Sequence, residues 1–127
     1  MEHTADWELE VWADDLGGLL AEAARGMYAL MGVVTSPDDR RHFRLELAAE
    51  DPEGLLVSFL NELLYLLDSK NLAFDGFLVT VVDSRLDGRL EGGQVKVRGK
   101  EIKAVTFHRL AVRTTGDGLE TRIVFDV

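Results

Sequence analysis

Cysteine is missing from this 127-residue sequence, which excludes disulfides, thiolate metal centres and cysteine nucleophiles together. Long apolar runs are missing too: no stretch approaches the ~20 residues that a membrane-spanning helix needs, and the acidic opening is unlike a secretory signal. The metalloprotease helix, the P-loop, the dinucleotide-binding glycine fingerprint and the EF-hand loop do not occur. Ser36, Ser58, Ser69 and Ser84 lack the strand–turn–helix setting of an acyl-transfer nucleophile. His3, His42 and His108 share no ligand spacing, which argues against tetrahedral zinc. Gly92-Gly93 and Gly116-Asp117-Gly118 read as hairpin glycines. Proline occurs twice, and both copies punctuate the chain rather than interrupt an element.

What is present is an ordinary globular composition, with 46% hydrophobic residues. A chain of this length buries roughly two-thirds of its unfolded surface, so the expectation is one core and one domain over residues 1–127, in a soluble, cytoplasmic protein. The formal net charge of −9 argues against a surface that binds nucleic acid all over. The charge is uneven, however. Residues 1–24 carry seven acidic side chains and neither lysine nor arginine. Residues 94–113 carry Lys96, Arg98, Lys100, Lys103, Arg109 and Arg113 against Glu101 alone. That segment reads either as a solvated strand pair or as a patch that meets an anion or a partner.

Residues Glu8 to Ala13 alternate, as a strand does. Asp14 or Asp15 then offers a capping carboxylate, and Leu16, Leu19, Leu20, Ala23, Met27, Leu30 and Met31 follow at helical spacing. Gly17 and Gly18 weaken that start by about 1 kcal/mol each relative to alanine. Residues 35–39, Thr-Ser-Pro-Asp-Asp, read as a turn, and Phe43, Leu45 and Leu47 alternate with Arg44 and Glu46 as a second strand. Asp51-Pro52 marks a second helix start, a carboxylate cap followed by proline in the first turn. Leu55, Leu56, Phe59, Leu60, Leu63, Leu64 and Leu67 form its apolar stripe. Phe77, Val79 and Val81 then predict a third strand, joined to a partner at 85–91 by a turn at Asp83-Ser84 or at Asp87-Gly88. Residues 105–113 and 120–126 read as a closing hairpin around Gly116-Asp117-Gly118. The class is α+β: two helices packed on a mostly antiparallel or mixed β-sheet, in the order β-α-β-α-β-β-β-β.

The two ends hold His3-Thr4-Ala5-Asp6 and Phe125-Asp126-Val127. If both lie on strands of one sheet, carboxylates converge there into an oxygen-only site of the kind hard cations prefer. Two carboxylates brought together repel one another and favour a cation between them.

These end segments combine with Leu60-Asn61-Glu62-Leu63-Leu64-Tyr65-Leu66-Leu67-Asp68 and Lys103-Ala104-Val105-Thr106-Phe107-His108. In order and spacing, over essentially the whole chain, the combination resembles the archease family. Trp7 stands where that family usually has a smaller apolar residue, and Phe107 where a tyrosine is common. The resemblance implies a non-enzymatic activator of an RtcB-type RNA ligase. That ligase seals tRNA halves and other RNA ends bearing 2′,3′-cyclic phosphate or 3′-phosphate, through a covalent ligase–guanylate. The activator promotes guanylation and multiple turnover. The resemblance further implies a divalent cation, calcium by preference with magnesium or manganese as alternatives, held by Asp6, Asp126 and the main-chain oxygen of Val127. Lys103 is implied as the functional lysine beside it. His3 reads more readily as a hydrogen-bonding residue than as a ligand, and Asn61-Glu62 as orienting local backbone or facing a partner. Two other readings stand beside this one. A stand-alone metal-dependent phosphoester hydrolase would use the same carboxylates and Lys103, and a chaperone or RNA-binding adaptor would use the basic segment.

Overall fold

A computed structural model describes residues 6–127, with Asp6 described through its backbone alone; His3 lies outside the described residues. In chain order the elements are β1 (Asp6–Ala13), α1 (Leu16–Met31), β2 (Val34–Thr35), β3 (Arg41–Ala48), α2 (Pro52–Lys70), β4 (Leu72–Val82), β5 (Arg85–Val97), β6 (Ala104–Val105), β7 (Arg113–Thr114) and β8 (Leu119–Asp126). The α+β class holds. The strands divide into two four-stranded sheets rather than one, and every pairing is antiparallel. In the first sheet β8 is central, with β1 on one side and the short β6 and β7 on the other. In the second, β5 is central between β4 and the pair β2 and β3.

Both helices begin as their sequences dictate. The Asp15 carboxylate accepts a hydrogen bond from the Gly18 N–H at 2.7 Å, and Asp51 does the same for Gly54 at 2.7 Å. Each satisfies an N–H that has no partner within its helix. At the other ends Gly32 and Asn71 turn into the left-handed region, with φ of 66° and 52°. Asn71 then uses its side-chain amide to donate to the Val95 carbonyl at 3.1 Å, tying the end of α2 to β5. Gly17, which costs α1 helix propensity, is required by packing. A Cβ built there would lie 2.2 Å from the Val79 carbonyl oxygen of β4, so no larger residue permits this approach of helix to strand.

Each helix packs on both sheets: α1 on β1, β8 and β4, α2 on β3, β4, β5 and β6. The seven stripe residues of α2 are all buried. Together they remove from water enough apolar surface for about 10–20 kcal/mol before chain entropy is subtracted. Leu19, Leu20, Met27 and Met31 of α1, with Ile123 and Phe125 of β8, complete the centre.

Three local expectations are settled or corrected. The β4–β5 turn is at Asp83-Ser84, both at positive φ (49° and 64°), the two-residue geometry whose twist matches the flanking strands; Asp87-Gly88 lies inside β5. The turn expected over residues 35–39 starts one residue later, because Thr35 pairs with Val95 in β2. The strand expected over residues 105–113 does not form. Within this stretch only Ala104–Val105 and Arg113–Thr114 pair with β8; Thr106 still donates its N–H to the Val124 carbonyl at 3.2 Å, and residues 107–112 arch away. The alternation that suggested a strand is broken by a turn in which the Leu110 N–H donates to the Phe107 carbonyl at 3.0 Å and Arg109 takes φ 54°.

Candidate functional site

The first sheet sets the geometry. Antiparallel pairing of β1 with β8 runs from Ala13↔Leu119 to Asp6↔Asp126. Opposed positions in such a pair share a sheet face, with Cα atoms about 4.5–5.5 Å apart. The outward row on β8 is Glu120, Arg122, Val124 and Asp126, exposed except for the buried Val124, and it alternates with Thr121, Ile123 and Phe125, which are buried on the inner face. On the other edge of β8, Asp126 pairs with Ala104, and the Lys103 N–H donates to the Asp126 carbonyl at 2.8 Å. The positions of Asp6 and Asp126 are therefore direct neighbours, and Lys103 is bound through its backbone to the second of them. Lys103 and Asp126 are exposed. Neither has an ion-pair partner within the described residues. Val127 is half-buried, and its side chain rests against the core.

A divalent cation would have the outward Asp126 carboxylate and the Val127 main-chain oxygen, with the Asp6 position one strand away. These are oxygen donors only, which suits calcium or magnesium better than zinc. Among the described residues no group of three histidines or acids stands ready as a metal cluster. The donor set fits a hard cation in kind, with the Asp6 side chain outside what is described.

What holds Lys103 in place is a strap formed by residues 98–112, which runs antiparallel to α2. Three polar ties fasten it. The Arg98 guanidinium donates to Asp68 at 2.9 Å near the helix end, and the Val105 N–H donates to the Asn61 carboxamide oxygen at 3.0 Å at mid-helix. The Val112 N–H donates to the Glu53 carboxylate at 2.7 Å at the helix start. Asn61 thus orients backbone, though of a segment 44 positions away rather than the local backbone its sequence suggested. Ile102 seals the strap against the core, and the Lys100 ammonium sits 5.2 Å from the centroid of the Trp7 ring, a cation–π contact beside the Asp6 position. No local pattern in residues 98–112 announces these ties, because each partner lies 30 or more positions away.

Comparison with known proteins agrees with the architecture. Residues 1–127 match the archease protein family. A relative named protein archease from Archaeoglobus fulgidus is 31% identical over 132 residues, covering 100% of this chain and 96% of that one. Another from Thermococcus gammatolerans is 32% identical over 125 residues, with 92% and 88% covered. Among solved structures, a Thermotoga maritima protein described as an archease, possible chaperone, superposes with a TM-score of 0.76 at 27% identity, covering 100% of this chain and 94% of the other. Protein 1598 of Methanobacterium thermoautotrophicum gives a TM-score of 0.75 at 26% identity, with 100% and 96% covered. With the family matched from the first residue to the last and the fold shared by its solved structures, the chain belongs to the archease family.

Proposed function

We propose that this chain is a non-catalytic activator of an RtcB-type RNA ligase in tRNA splicing and RNA repair, acting by contact with the ligase to promote its guanylation. One observation carries the reading. Asp6 and Asp126 occupy opposed positions on adjacent strands, and the backbone of Lys103 is bonded to Asp126. The backbone positions of the residues that the family resemblance singles out thus lie at one end of one sheet, although they are separated by nearly the whole sequence.

Asp126, Asp6 and the Val127 main-chain oxygen would hold the divalent cation. When bound, the cation supplies positive charge that can meet a phosphate or carboxylate of the ligase. The chain's own residues supply position. The β1–β8 ladder fixes the spacing of the acidic pair, the strap fixes the Lys103 backbone, and the Lys103 ammonium adds a second, mobile cation for the same kind of partner. The half-buried Val127 side chain anchors the end of β8 on the core. The description of the Thermotoga relative as a possible chaperone suits the same class of action, assistance to another protein rather than chemistry on a substrate.

The test is a guanylation assay with the organism's own ligase under excess RNA. Asp6→Ala and Asp126→Ala proteins that are folded by circular dichroism should lose stimulation. Full stimulation by both variants would remove the cation site from the reading. Release of product from phosphoesters by the purified chain alone, abolished in Asp126→Ala, would replace the activator reading with the hydrolase one.

A further inference from the structure

Farther along the same sheet face, away from Asp126, lies a trough of about 480 Å³ that neither Lys103 nor Asp126 lines. Its floor is the outward side of β1 and β8, and its wall is the arch at residues 108–113. Thr121 fastens that wall by donating its hydroxyl hydrogen to the Ala111 carbonyl at 2.9 Å.

The charges in the trough are unequally engaged. Glu8 and Glu10 share Arg122, at 3.5 and 3.6 Å. Arg109 and Arg113, by contrast, have no ion-pair partner among the described residues, and His108 stands beside them. Arg109 also holds φ 54°, a left-handed conformation that a non-glycine side chain adopts only when its surroundings impose it. At the floor, Trp12 is 73% exposed. A large ring on the wet face of a strand adds nothing to the core and presents a flat apolar plate to solvent.

The register puts these groups in a row. Trp12 is opposed to Glu120 across β1 and β8, and Glu120 is opposed to Arg113 across β8 and β7. Adjacent strands lie about 4.8 Å apart, so an aromatic plate, a carboxylate acceptor and a guanidinium follow one another over about 10 Å. That sequence of chemistries matches a nucleotide read from base to phosphate. A base stacks on an indole regardless of its identity, its N–H groups donate to a carboxylate, and a phosphate takes a guanidinium in bidentate fashion. The volume is also that of a small-ligand site.

We propose that this trough binds a nucleoside phosphate, free or at the end of an RNA strand, with the base on Trp12, its N–H donors toward Glu120, and the phosphate against Arg113 and Arg109. The proposal rests on the sheet register and stands apart from the ligase reading, so the test uses the purified chain alone.

Tryptophan fluorescence and calorimetry at low salt would follow titration with ATP, GTP, inorganic triphosphate, and a short single-stranded oligoribonucleotide ending in a 3′-phosphate. Saturable quenching by the nucleotides or the oligonucleotide is expected. Trp12→Ala should weaken it about tenfold and Trp12→Phe only about threefold, since a smaller ring still stacks. Arg109→Ala and Arg113→Ala should each weaken binding about tenfold, and Arg85→Ala on the second sheet should leave it unchanged. Binding by the free nucleotides alone, or by the oligonucleotide alone, identifies the source of the ligand, and either supports the proposal. Three results would overturn it: no saturable binding by any of these ligands, inorganic triphosphate binding as tightly as the nucleotides, or a glutamate-rich peptide binding as tightly and in competition with them. The second reduces the trough to a bare anion contact, and the third makes it a docking site for an acidic protein.

Discussion

The outward faces of the two sheets are both charged, yet they use charge differently. On the second sheet a cluster of ions is mutually engaged, although Arg85 and Arg89 of β5 have no ion-pair partner among the described residues. Arg40 bonds Asp75 and Glu91, His42 lies 3.6 Å from Glu91, and Arg44 reaches Asp87 at 3.2 Å and Glu46 at 3.7 Å. On the first sheet and its strap, Arg122 bridges Glu8 and Glu10, but Lys103, Arg109, Arg113 and Asp126 have no ion-pair partner among the described residues. Ions that complete one another are a surface at rest; ions held apart by a rigid ladder are available to something else.

The comparison fails at once if the two faces do not share one folding unit. Leu60 is fully buried in α2, which packs on both sheets. Leu60→Ala should therefore cost about 2–5 kcal/mol and unfold both sheets in a single urea transition, whether followed by tryptophan fluorescence or by far-ultraviolet circular dichroism. Two separate transitions would divide the molecule.

A smaller effect is expected where the working face is attached. Asn61→Ala leaves the Val105 N–H without its acceptor, at about 1–3 kcal/mol. It should also raise hydrogen exchange at Lys103 and Val105 before exchange rises in α2. The sharpest contrast comes from two surface cations. Lys103→Ala should change stability by no more than about 0.5 kcal/mol while removing most of the ligase stimulation. Arg44→Ala, which breaks a paired but solvent-exposed ion on the other sheet, should change stability little and leave stimulation intact. Equal losses of stimulation in the two variants would erase the distinction between the faces.

The smallest effect is one of pH. Partial burial pushes the Asp75 carboxyl upward, but hydrogen bonds from Arg40 and Thr35 outweigh it and hold the group below the usual carboxylate range. A carboxyl lowered by folding stabilises the protein above its unfolded value and loses that contribution as acid titrates it in the fold. The difference in melting temperature between the parent chain and Asp75→Asn should be present at neutral pH. It should begin to shrink as the pH falls below 3.8, the ordinary value for the group, and vanish only once the pH has passed below the lower value held in the fold.

Much of the framework was legible because its signals are local. Asp51-Pro52 with seven apolar residues at helical spacing specifies α2 within a short window. So does alternation for β3, whose Phe43, Leu45 and Leu47 face inward. The failures arise where distant contacts decide. Residues 105–113 alternate like a strand, but the Thr106 hydroxyl accepts the His108 N–H and the Phe107 carbonyl accepts the Leu110 N–H, so the backbone turns away from β8, and the Val112 N–H goes to Glu53 instead. The turn at Asp83-Ser84 and the one imagined at Asp87-Gly88 differ only in pairing partners, which a single strand's pattern does not contain. The acidic ends were visible as residues, and their adjacency follows only from a β1–β8 register spanning the chain. Trp12, Glu120 and Arg113 were each visible too, but the row they form exists only across three strands.

The β1–β8 register also guards the acidic pair. Leu9 and Val11 face the core from β1, and Ile123 and Phe125 face it from β8. A slide of one strand by a single residue would turn all of its apolar side chains to water. Drift at this end of the sheet is thus coupled to loss of the hydrophobic interior, so mutation can erase either acid far more easily than it can relocate one.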